Sequence, residues 1–118
     1  MPGYTLTALD DAERNGGWHL IRRELGLQAF GMNVVRIAPG TSIPEHEETD
    51  RDQEEVFAVL SGSATLVVEG EDHPAPAGTF ARLVPSLRRT VRNDGDVPAD
   101  VLILSAPTTS GYEPMSWA

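Results

Sequence analysis

The chain has 118 residues and a mass of 12.7 kDa, which fits one domain with a real core but not two. It carries 9 basic and 18 acidic side chains, a formal net charge of −9, with no cysteine and no lysine, so every base is arginine. These counts exclude disulfides, thiolate nucleophiles, zinc–thiolate and iron–sulfur centres, lysine Schiff bases and P-loops. The acidic balance, without any basic run, argues against nucleic acid or an anionic membrane as partner.

Met1 to Asp10 lacks the charged and apolar regions of a signal peptide, and no stretch approaches ~18 consecutive apolar residues. A cytoplasmic location is the expectation. Ala8 to Asn15 reads as one short helix ended by Gly16-Gly17. Trp18 to Glu24 and Phe30 to Ala38 read as strands parted by a turn at Gly26. Val56 to Leu60 and Ala64 to Glu69 are apolar runs split by Ser61-Gly62-Ser63, a hairpin signal. Glu69-Gly70-Glu71-Asp72 is a second turn, and strands follow at Thr79 to Val84 and Arg89 to Asn93. Asn93-Asp94-Gly95-Asp96 turns the chain into a last strand at Val101 to Leu104. Tyr112 to Ala118 is a tail that packs on the surface or on another subunit. About eight short strands in regular spacing predict an all-β sandwich or barrel. Trp18, Phe30, Phe57 and Phe80 are expected in the core, with Trp117 a candidate dimer contact.

The informative region is Gly40 to Gly62, where seven of the eighteen acids lie between Glu45 and Glu55. His46 and Glu48 are two residues apart and share a face if the segment is extended. Glu55 shares its parity with Phe57 and Val59 on the following strand, and with Gln53 if that strand starts early. His46, Glu48, Glu55 and Gln53 can thus converge in a barrel interior. Such imidazole and carboxylate ligands suit Mn, Fe(II), Zn or Ni. Glu45, Glu47, Asp50, Asp52 and Glu54 read as a solvated face. His19 and His73 read as structural or surface residues.

This region resembles the first motif of the cupins. In that motif a Gly is followed after five residues by His-x-His, then by a Glu and, six residues on, a Gly. Gly40 to His46 and Glu55 to Gly62 match it. Glu48 stands for the second His, and the Glu48–Glu55 gap is two or three residues longer than the family's. In the second motif, aligned on Pro85 and Asn93, the third His becomes Arg89, or Thr90 with a one-residue shift. The resemblance covers about Val34 to Leu104. It implies a single domain over 1–118, a double-stranded β-helix or jelly-roll barrel. N-terminal strands would lie at 18–38, the barrel core at about 34–104 and a tail at 107–118.

It further implies one divalent ion (Fe, Mn, Ni or Zn) on His46, Glu48 and Glu55, or a metal-free site where the Arg89 guanidinium pairs with an inward carboxylate. Phe57 and Arg89 are the expected ligand contacts. The functions implied are a small-molecule-binding or regulatory module with a degenerate metal site, or a metal-dependent enzyme of dioxygenase, isomerase or decarboxylase type. A third reading is a barrel acting through its dimer surface alone. A small-molecule ligand and a homodimer are the expected partners.

Overall fold

The alternation of apolar and polar side chains becomes antiparallel strands in the computed structural model, which describes residues 3–118. In chain order the elements are β1 (Arg14–Asn15), β2 (Trp18–His19), α1 (Ile21–Leu25), β3 (Gly31–Ile37), β4 (Gln53–Ser61) and β5 (Ser63–Val68). There follow β6 (Glu71–Pro76), β7 (Phe80–Leu83), β8 (Arg89–Arg92) and β9 (Ala99–Pro107). One sheet runs β1-β2-β3-β9-β4-β7 and the other β6-β5-β8. Segment 42–46 widens the second sheet, bridging β8 at Ser42–Arg92 and His46–Arg89.

The two sheets bury one core between them. Val35, Phe57, Val59, Val101 and Ile103 of the first meet Ala64, Leu66, Ala75 and Val91 of the second. Each large apolar side chain so buried is worth roughly 1.5–3 kcal/mol, and a one-residue slip would turn a whole row to solvent. The intervening residues, Val34 and Leu102, point away from that core. Leu9, Ala12, Ile21 and Leu25 cover them in a second cluster. The architecture is mostly β, of the jelly-roll class that the motifs imply. No helix among the described residues is long and apolar enough to cross a membrane.

Three local expectations are corrected. The helix expected over Ala8 to Asn15 is a three-residue 3-10 turn, Leu9–Asp11, followed by β1. One turn suffices to set Leu9 and Ala12 on the sheet, and Arg14 and Asn15 pair with β2 instead of continuing a helix. The strand expected over Trp18 to Glu24 stops at His19 and becomes α1, closed by Gly26 at φ 68°. Ile21 and Leu25 are four apart, and the helix puts both on the second cluster. No strand was expected over Glu71–Pro76, yet β6 lies there at the rim of its sheet, where two prolines are tolerated.

Two aromatic side chains also differ from expectation. Phe57 is buried, but Phe80 is 77% exposed and Phe30 41%. Phe80 pairs across the sheet with Ala58, on the face opposite Phe57 and Ala81.

Gly40 and Gly62, the motif anchors, both have positive φ, 77° and 74°. Around Gly40 an added Cβ would meet nothing, whereas at Gly62 it would lie 2.5 Å from the Pro98 carbonyl oxygen and 2.9 Å from the Ala99 Cα. Gly40→Ala is therefore expected to cost only the left-handed backbone penalty, about 1–2 kcal/mol. Gly62→Ala adds a backbone clash and should cost more, about 3 kcal/mol. Urea denaturation of both variants checks the order; equal losses would contradict it.

Candidate ligand and metal site

Backbone pairing builds the site. The His46 N–H donates to the Arg89 carbonyl at 3.0 Å, and the Arg89 N–H donates to the His46 carbonyl at 2.8 Å. This reciprocal pair holds position 89 beside position 46. The Glu48 N–H donates to the Pro85 carbonyl at 2.8 Å, so the extended path carries on past His46. His46 and Glu48 consequently share a face. Glu55 reaches the same place from β4, on the inward parity of Phe57.

His46 Nε2 lies 3.6 Å from Glu48 Oε1 and 3.5 Å from Glu55 Oε1. Its Nδ1 is 3.1 Å from the Pro44 carbonyl. A proton on Nδ1 satisfies that carbonyl and leaves the Nε2 lone pair facing two carboxylates. Three electron-rich atoms so close together are favoured by nearby positive charge, which the Arg89 and Arg51 guanidiniums supply to Glu55 and Glu48 and a metal ion would also supply. The ligand atoms of the three residues all lie within 4.8 Å of one another. Such spacing suits one divalent ion at bonds of about 2.0–2.2 Å.

Arg89 stands behind this triangle, completely buried. Its Nε is 3.5 Å from Glu55 Oε1. Nη1 donates to the Leu87 and Pro85 carbonyls at 2.5 and 3.3 Å, and Nη2 to the Val84 carbonyl at 3.4 Å. Nε and Glu55 Oε1 are close enough to pair electrostatically, but neither makes an aligned hydrogen bond. The Glu55 carboxyl is held above its ordinary value near 4.5. Burial is the main cause; the Arg89 charge opposes it, Glu48 reinforces it and His46 opposes it again. Three residues that could hold a metal ion are thus brought together, and beside them Arg89 offers donors and no lone pair.

The triangle opens onto a cavity of about 380 Å³. Trp18, Met32, Ile43 and Ile103 supply apolar wall, and Arg22, Asn33, Arg51 and Ser105 supply polar groups. Neither of the expected ligand contacts is among the lining residues: Phe57 sits at 3% exposure in the core, and Arg89 is wholly buried behind Glu55. Gln53 donates instead to the Arg51 carbonyl at 2.9 Å and does not line the cavity. Thr90, the alternative to Arg89, donates its hydroxyl to the Ile43 carbonyl. His73 is exposed beside Glu71, and His19 is buried with Nδ1 2.9 Å from the Leu9 carbonyl.

Sequence reasoning missed the polar rim. Arg51 lies in the insertion between Glu48 and Glu55, in a turn where Asp52 takes φ 51°. That extra length was the available signal, because a longer loop beside a site can reach over it. Arg22 carried none, since its approach depends on α1.

The cupin domain family model matches residues 33–105, and the chain belongs to the cupin family. Among solved structures it is similar to a cupin protein from Bacteroides fragilis, with a TM-score of 0.81 and 20% identity over 99% of this chain and 94% of that one. It is also similar to a sugar phosphate isomerase of the cupin superfamily from Silicibacter pomeroyi, with a TM-score of 0.74 and 25% identity over 87% and 76%. A Cupin 2 conserved barrel domain protein from Salinispora arenicola aligns with a TM-score of 0.62 and 26% identity over 70% and 67%. No curated protein matches the sequence significantly.

Two predictions concern the buried pair. Arg89→Met strands the Glu55 carboxylate in the interior and should destabilise the fold by about 3–5 kcal/mol at neutral pH. Denaturation at pH 4 should recover part of that loss; equal losses at both pH values would show that the pair is not the cause. In the wild type, a carboxyl raised on folding binds its proton more tightly in the native state. Its stabilisation is complete below the unfolded value and is lost as pH rises through the folded one. Glu55→Gln cannot titrate, so its stability relative to wild type should improve as pH rises above about 4.5.

Proposed function

We propose that this chain is a small-molecule-binding or regulatory cupin module with a degenerate metal site. The observation that carries the reading is Arg89. Its guanidinium is wholly buried, tied to backbone carbonyls and 3.5 Å from Glu55, so a permanent positive charge already serves one of the inward carboxylates. The cavity beside it has room for a ligand of metabolite size.

The spacing of His46, Glu48 and Glu55 favours a second reading, a metal-dependent cupin enzyme of isomerase, dioxygenase or decarboxylase type. The 25% identical neighbour described as a sugar phosphate isomerase is compatible with it. An ion on these three residues (Fe, Mn, Ni or Zn) would supply Lewis acidity with coordination positions left open.

Elemental analysis after dialysis against each of the four metals separates the two. The module reading expects less than stoichiometric metal in the wild type and a gain in affinity for Ni²⁺ or Zn²⁺ in Arg89→His. A stoichiometric wild-type metal that is lost in His46→Ala would establish the enzyme reading instead.

We further read the chain as a homodimer. A groove of about 680 Å³ on the outer sheet face is lined by Phe30, Val56, Leu104 and Tyr112, and Trp117 on the tail is 81% exposed. Apolar area of this kind is usually covered in solution. Light scattering should give twice 12.7 kDa; the monomer mass would reject the dimer.

A further inference from the structure

Of the nine arginines, seven have a carboxylate partner within salt-bridge distance among the described residues: Arg23, Arg36, Arg51, Arg82, Arg88, Arg89 and Arg92. In a chain with twice as many acids as bases this is the ordinary outcome. Arg14 and Arg22 are the two without one. Arg14 is exposed on β1 and lines neither cavity described above. Arg22 lines the cavity onto which His46, Glu48 and Glu55 open. One of its nitrogens, Nη1, donates to the Leu27 carbonyl at 3.1 Å, a contact that steadies the guanidinium without neutralising it.

The two carboxylates of the cavity already have cations of their own. Glu55 has Arg89 at 3.5 Å and Glu48 has Arg51 at 3.9 Å. The latter pair is long and Arg51 is 71% exposed, so water screens it and Arg51 can turn to another anion at little cost. The charged lining residues balance, Arg22 and Arg51 against Glu48 and Glu55, 2 − 2 = 0 with histidine neutral; the buried Arg89, behind Glu55 and not itself in the wall, brings the surroundings to +1, against −9 for the whole chain. A local excess of positive charge in a concave, partly apolar site attracts and holds anions. Between the charged groups the wall offers Trp18, Met32 and Ile103.

From this we infer that the cavity takes a small organic anion, a compound with one carboxylate or phosphate group on a compact body. Arg22 is its counter-ion, with Arg51 as the second, mobile arm. The inference rests on the ligand-binding reading above and adds the chemical class. It requires no metal: the anion is held by guanidinium donors, which match carboxylate and phosphate oxygens in forked geometry.

The test is a titration at constant ionic strength with four probes: benzoate and its neutral isostere benzamide, and glycerol 3-phosphate and its neutral counterpart glycerol. The readouts are calorimetry and the Trp18 indole N–H resonance, assigned with Trp117→Phe. Binding of benzoate or glycerol 3-phosphate, without binding of the neutral partner, supports the inference, and the anion that binds tells carboxylate from phosphate. Arg22→Gln should then weaken binding about tenfold, the worth of a hydrogen bond to a charged group. Arg14→Gln, which removes the same charge elsewhere, should leave it unchanged. Neutral probes that bind as well as the anions would overturn the anionic class and leave the ligand-binding reading standing. Equal losses in Arg22→Gln and Arg14→Gln would overturn the role of Arg22. No shift of Trp18 with any probe would overturn both the class and the ligand-binding reading.

Discussion

The contact on which the site depends is the buried approach of Arg89 to Glu55. Neither group could stay charged in the interior alone, because removing an ion from water costs several kcal/mol. Together they remain, since the guanidinium spends its other donors on the carbonyls of Val84, Pro85 and Leu87. Those carbonyls belong to the turn that leads into β8, so the pair also fixes where β8 begins. β8 in turn positions His46 through the reciprocal backbone bonds between 46 and 89. Site electrostatics and strand register are thus one arrangement, and a change at position 89 acts on both.

Much of the barrel was legible because its period is legible. Phe57 and Val59, or Val101 and Ile103, alternate with outward residues, and such a text has one reading when one face must be buried. His46, Glu48 and Glu55 could be grouped for the same reason, since parity says which side chains share a face. What parity cannot say is whether a face has a cover. Phe80 and Phe57 lie on opposite faces of the same sheet, and only Phe57 has a second sheet packed against it. The identity of the residue does not carry that information. α1 was hidden for a related reason: Ile21 and Leu25 fit a strand or a helix in isolation, and the cluster around Val34 decides between them.

The rim of the cavity illustrates a different gap. Arg22 and Arg51 arrive from α1 and from a turn, elements whose paths depend on tertiary packing. Arg22 stands out only when every arginine is matched with its acid and one guanidinium on the cavity wall is left over. In an acidic chain the unpaired base is the rarer and therefore the more informative residue. The departure from the family at position 89 has the same character. A histidine there would add a ligand, whereas the arginine adds a charge and no lone pair.

The rim strand β6 has one more consequence. Pro74 and Pro76 are two residues apart, so their ring nitrogens face the same way, and neither has a hydrogen to donate. Their partners Thr65 and Ser63 lie on β5, the inner neighbour in that sheet. The opposite rim of β6 thus presents acceptors with gaps in its row of donors. A foreign strand, or another copy of the same one, finds no continuous ladder there to extend. The small sheet is closed to growth along that rim, a safeguard against fibrous stacking written into two residues of the edge.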